Sequence, residues 1–91
     1  MPGNFSNVIK AFLDSPYFKG LGESTKDHWK RELVLAEVTL GALDVHELRP
    51  SIIQAHLDGL AKYPGKQSTA KTALKALESW AIVRDFLPHT I

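Results

Sequence analysis

The chain has 91 residues, 44% hydrophobic and 23% charged, with a formal net charge of +1. That length suits one domain of about 100 residues around a single core, and that composition argues against a disordered chain. Cysteine is absent, which excludes a disulfide scaffold, a thiolate zinc site and a cysteine nucleophile, and fits a reducing compartment. No apolar run approaches the roughly 18 residues of a membrane span. Met1-Pro2-Gly3-Asn4 lacks the basic and apolar regions of a signal peptide. The expected location is therefore cytoplasmic, with no membrane partner.

The periodicity is helical from end to end. Phe5, Val8, Ile9, Phe12 and Leu13 form one stripe at i, i+3, i+4, i+7 and i+8, which predicts a first helix over about residues 4–14. Asn4 suits its N-cap, and Ser15-Pro16 stops it. Tyr17 to Gly22 then reads as a connector with anchoring aromatics.

A second helix is expected over 24–40, capped by Ser24, with Asp27 three residues on as a weak capping box. Trp29, Leu33, Ala36 and Leu40 form one apolar stripe; Val34, Leu35 and Val38 form another on the far side. Apolar residues on two sides predict a central helix packed on both. Gly41 suits the position after its end.

A third helix is predicted over 50–62, because Pro is favoured at a first helical position. Ile52, Ile53, His56, Leu57 and Leu60 make its stripe, and Tyr63-Pro64-Gly65 reads as a breaker. A fourth helix is predicted over 67–86. Ala70, Ala73, Leu74, Leu77, Trp80 and Ala81 give it an unbroken apolar face, and Pro88 closes it. Strand alternation and hairpin turns are missing. The fold class expected is all-α, with four main helices joined by short links. Trp29, Leu33, Ile53, Leu57, Leu74, Leu77 and Trp80 are the expected core.

Charge is unevenly spread. Residues 1–31 carry net +2, residues 32–62 net −3 and residues 63–91 net +2. At about 100° per residue, Ser68, Lys71, Thr72, Lys75 and Ser79 fall on the polar side of the fourth helix, with Lys66 and Gln67 just before it. Cations and hydroxyls on one face suit phosphate and base-edge contacts. The same face also fits an ordinary solvated helix surface. In the second helix Lys26 and Lys30 are spaced i, i+4, with Thr25 and Arg31 beside them. Like charges at that spacing repel mildly, and a neighbouring carboxylate, solvent or an anionic partner relieves this.

Other chemistry is thin. The four histidines are His28, His46, His56 and His89. Only His28 has a potential co-ligand at helical spacing, Glu32, and two ligands make no metal site. His56 suits the edge of the core. No nucleophile elbow or phosphate-binding glycine loop occurs. Ser68 and Thr69 have no base nearby. Neither a metal nor an organic cofactor is expected, and these residues alone support no enzyme.

Five segments in order resemble a known family. They are Ser24-Thr25-Lys26-Asp27-His28-Trp29-Lys30-Arg31-Glu32-Leu33; Gly41 with Leu43-Asp44-Val45; Leu48-Arg49-Pro50-Ser51-Ile52-Ile53; Pro64-Gly65-Lys66-Gln67-Ser68-Thr69-Ala70-Lys71; and Trp80-Ala81-Ile82-Val83-Arg84-Asp85-Phe86-Leu87-Pro88. This layout resembles the N-terminal core-binding, SAM-like domain of phage-type integrases, the tyrosine recombinases, and covers nearly the whole chain. The resemblance implies a four-helix orthogonal bundle over residues 1–91 that clamps one face of a core-type recombination site in double-stranded DNA. By position it assigns DNA contacts to Thr25, Lys26, His28, Lys30, Lys66, Ser68, Thr69, Lys71, Thr72 and Lys75. It implies as partners a catalytic domain of the same parent chain, lying beyond Ile91, and other integrase protomers. The nucleophilic tyrosine belongs to that downstream domain, so Tyr17 and Tyr63 are not expected to cut DNA. Arg49 departs from the family's Ser or Thr helix cap. Two other classes compete: a helical protein-interaction domain, and a helix-turn-helix regulator, which lacks its short-turn helix pair.

Overall fold

The computed structural model describes residues 3–91 and shows an all-α chain. Its helices are α1 (Phe5–Leu13), α2 (Pro16–Lys19), α3 (Glu23–Leu40), α4 (Pro50–Asp58) and α5 (Pro64–Val83), with a 3-10 turn at Val45–Glu47 before α4. Among the described residues the only strand-like pairing is an isolated bridge between Asn4 and Asp44. The four expected helices occur, and a fifth is added.

α1 is short but deeply placed. Phe5, Val8, Ile9 and Phe12 are fully buried. Asn4 caps it, accepting from the Asn7 amide at 3.1 Å. The Phe5 and Ser6 amides donate to the Leu43 and Gly41 carbonyls at 2.9 and 3.0 Å. The α3–α4 connection thus satisfies amides that a helix start leaves without partners, and it fixes α1 against the end of α3. Gly41 is needed for closeness rather than handedness. Its φ is −62°, but an added Cβ would collide with the backbone carbonyl of Glu37. Gly41→Ala should therefore cost about 1–3 kcal/mol, as overpacking does. An unchanged thermal midpoint would show that this backbone moves freely.

The expected connector after α1 holds a helix of its own. Ser15 accepts from the Phe18 amide at 3.2 Å, and Pro16 occupies the first position. The pair that stops α1 therefore starts α2, which buries Phe18. α3 begins at Glu23, not at Ser24, and its cap is Gly22 without a side-chain bond. Glu23 itself suits the first turn, where a carboxylate faces the positive end of the helix.

α4 starts at Pro50 as expected but ends at Asp58, four residues early. Its last turn is closed from outside, where the Gln67 side-chain amide donates to the Leu57 carbonyl at 2.8 Å. α5 starts at Pro64, inside the expected breaker, because Pro is at home in a first helical turn. It ends at Val83. Asp85 then adopts φ 59°, in the left-handed region. The Asp85 amide donates to Ile82 and the Phe86 amide to Ala81, at 3.0 and 2.9 Å. This is a Schellman ending, and its customary apolar contact is the edge-on packing of Phe86 on Trp80 at 5.4 Å.

α1, α3 and α5 pack against one another, α4 lies on α5, and α2 folds back on α1. The overall dimensions are 33 × 30 × 19 Å, so the thin direction holds two layers of helices about 10 Å across. Leu33, Ala36, Ile53, Leu57, Ala70, Ala73, Leu74, Leu77 and Ala81 are buried in the core. Two expectations need correction. Trp29 and Trp80 are only partly buried, packed against the core from its edge. The second apolar stripe of α3 is largely uncovered, with Val34 41% and Val38 80% exposed. α3 is central, but α1 and α5 both pack on the flanks of its first stripe, leaving the opposite side to solvent.

Candidate nucleic-acid interface

The polar side of α5 faces outward. Ser68, Lys71, Thr72, Lys75 and Ser79 are all exposed, opposite the buried Ala70, Ala73, Leu74, Leu77 and Ala81. Two hydroxyls are turned to the helix itself: Thr69 donates to the Gly65 carbonyl at 2.9 Å and Thr72 to the Ser68 carbonyl at 3.1 Å. Their hydroxyl hydrogens are therefore engaged within the helix, leaving the oxygens only as acceptors. Lys71 and Lys75 lie on the α4 flank of this ridge, beside Gln54, Leu57 and Ile53.

The first turn of α5 meets α3. His28, Arg31, Glu32, Gly65, Lys66 and Thr69 line one open recess. Tyr63 supplies no side-chain cap and Pro64 no amide, so the Gly65 and Lys66 amides have no intrahelical partner. Such an uncapped first turn favours anions. The two segments singled out in the sequence are thus neighbours, although only His28 of the four predicted α3 residues lines this recess.

The other three sit elsewhere. Lys26 pairs with Glu23 at 2.9 Å and reaches the Lys19 carbonyl at 3.4 Å, which turns it toward α2. Lys30 is exposed in a shallow depression with Asp27, Arg31 and Val34. Thr25 is half-buried on the first turn of α3. Lys66 is at the right place but engaged, since its ammonium donates to Glu32 Oε2 at 2.9 Å. Arg31 was not among the predicted contacts, yet it is exposed in the recess. Its spacing of three from His28 puts both on one helical face, which is the signal that could have found it.

Glu32 is the unusual group. Its side chain is 7% exposed, among apolar neighbours of the α3 stripe, and Lys66 supplies the counter-charge that such burial demands. Its position on the buried stripe, between Trp29 and Leu33, was the visible clue. Glu32 also acts on His56 of α4. Burial pulls the His56 imidazole below its ordinary range, against the opposing pull of Glu32. Among the described residues no group of three His, Asp or Glu side chains could hold a metal ion.

His56 gives stability a pH dependence. The unfolded imidazole has a pKa of about 6.5, and the folded one lies lower. Between those values the unfolded chain binds more protons, so stability is full above about pH 6.5 and falls as pH drops through the folded value. Asp44, held low by the His46 amide and ring, titrates well below this window. His56→Leu should flatten the slope in thermal unfolding between about pH 6.5 and 5. A variant with the parent's slope would show that His56 is not its source.

Among the described residues, no carboxylate lies within ion-pair distance of Lys30, Arg31, Lys71 or Lys75. Lys30 and Arg31 stand on α3, and Lys71 and Lys75 on the α4 flank of α5. No helix among the described residues is long and apolar enough to cross a membrane. Comparison with protein-family models, curated proteins and solved structures gave no match.

Proposed function

We propose that the chain is a double-stranded-DNA-binding module of the tyrosine-recombinase type, acting as a clamp on a core-type recombination site in DNA integration. The observation that carries this reading is the outward ridge of α5, where Lys71 and Lys75 stand exposed with no carboxylate partner among the described residues. Beside it lie Arg31, His28 and the uncapped first turn of α5. Cations and free amides on adjoining helices suit a phosphate backbone, which positions a protein on duplex DNA. The resemblance of the ordered segments to integrase core-binding domains supports the same reading, including its SAM-like orthogonal arrangement. On this reading the module binds without cutting. Its partners are a catalytic domain of the parent chain and other protomers, and it works in the cytoplasm.

On this reading the contacts centre on Lys30, Arg31, Lys71 and Lys75, which pair with no carboxylate among the described residues, together with Ser68 and the first-turn amides of α5. About four neutralised phosphates predict a fall in affinity of roughly 100-fold between 50 and 200 mM salt. Titration of a core-site duplex at several salt concentrations, followed by amide NMR shifts, tests this. Salt-independent binding, or shifts confined to residues 42–58, would overturn it.

A second reading is supported by the groove between α4 and α5, floored by Ile53, Leu57 and Leu74. Such a groove fits a helical protein-interaction domain. Binding through its apolar floor would survive added salt, because apolar burial involves no counterion release, even though Lys71 and Lys75 stand at the edge of the groove.

A further inference from the structure

A buried carboxylate needs one counter-charge, and Glu32 has two candidates. Lys66, from α5, holds Oε2 at 2.9 Å. Oε1 is buried with no hydrogen-bond partner among the described residues, and so is Nε2 of His56 on α4. Both side chains lie against the first turn of α5, where Lys66 bonds Glu32 and the next residue, Gln67, bonds the carbonyl of Leu57 beside His56; the Glu32 charge opposes the lowering that burial imposes on the imidazole. The partners differ in freedom. The Glu32 side chain is 7% exposed and cannot leave, whereas that of Lys66 is 40% exposed and can swing to solvent. Other charged groups of α3 on this side are His28 and Arg31, which line the same recess. On α4 itself Asp58 is engaged by Gln54 at 2.8 Å.

We propose that Glu32, His56 and Lys66 form a proton-operated counter-ion exchange that sets whether Lys66 is available to an anion. With His56 neutral, Lys66 neutralises Glu32 and is withheld from the surface. When His56 takes a proton from solvent, its Nε2–H donates to Glu32 Oε1, and the imidazolium becomes the counter-charge. Lys66 is then free beside the uncapped first turn of α5, where its ammonium, Arg31 and the Gly65 and Lys66 amides converge on one phosphate-type anion. The exchange adds one cation to the recess without unburying the carboxylate. It rests on the DNA-binding reading only for the identity of the anion.

The test follows the whole chain by NMR from pH 7.5 to 5.0, reading the His56 ring and the Lys66 side-chain resonances. The expected result is one shared midpoint, with Lys66 constant in His56→Gln and already released at pH 7.5 in Glu32→Gln. The salt slope of duplex DNA binding should steepen by about one unit from pH 7.5 to 5.0 in the parent, and by clearly less in His56→Gln and Lys66→Met. The parent's own resonances decide the matter even where a variant folds poorly. Lys66 resonances unmoved through the His56 midpoint would overturn the proposal, as would a full slope change retained in His56→Gln. Shared midpoints with no duplex binding at either pH would support the exchange and refute the DNA-binding reading.

Discussion

Replacing Leu77 with alanine is expected to cost about 2–5 kcal/mol, the range for emptying a buried leucine site. Leu77 is fully buried, on the face of α5 that packs against α3 and α1. α1 cannot collapse into the gap easily, because its first turn is bonded to the Gly41 and Leu43 carbonyls. A domain of this size has only about 5–15 kcal/mol of stability in total, and each kcal/mol shifts the thermal midpoint by roughly 4–8 °C. A drop of about 10 °C or more is therefore expected. Val38→Ala, at a position 80% exposed, should stay within about 0.5 kcal/mol of the parent. Chemical denaturation of both variants checks the contrast. A cost below about 1 kcal/mol for Leu77→Ala would mean that α5 is not packed as described.

The second large effect concerns DNA. Lys71→Ala combined with Lys75→Ala should flatten the salt slope of duplex binding by up to about two units, one for each phosphate no longer neutralised. Neither lysine pairs with a carboxylate among the described residues, and both are exposed, so the fold should survive their removal. Lys10→Ala is the matched control. It removes the same kind of charge from α1, where Lys10 stands 3.8 Å from Glu37 and 70% exposed, away from the outer ridge of α5. Its slope should equal the parent's. Glu37 makes a poorer control, because it accepts from Ser6 at 2.5 Å and joins α3 to α1. Equal slopes for the double variant and the parent would remove the α5 ridge from the interface and favour the α4–α5 groove reading.

The helical stripes were legible in the sequence because they repeat every three to four residues. Phe5, Val8, Ile9 and Phe12 are buried as that spacing implies, and so are Leu33, Ala36 and Leu40. Asn4 and Pro50 were equally legible, since a cap or a first-turn proline acts on amides only a few positions away. The outward face of α5 followed from the same period. Pro64 belongs with the local signals, since it opens α5 as Pro50 opens α4, although Tyr63-Pro64-Gly65 reads as a breaker. What only the tertiary structure decided are pairings between distant positions. Val34 and Val38 stay exposed because the neighbouring helices cover the other stripe of α3. Among the lysines, charge alone could not separate Lys66, held by Glu32 across 34 positions, from Lys71 and Lys75, which carry no such pairing among the described residues. A periodic pattern reports which side of a helix is apolar. Which cation meets a buried carboxylate depends on where three helices cross, and that geometry is set by packing rather than by neighbours in the chain.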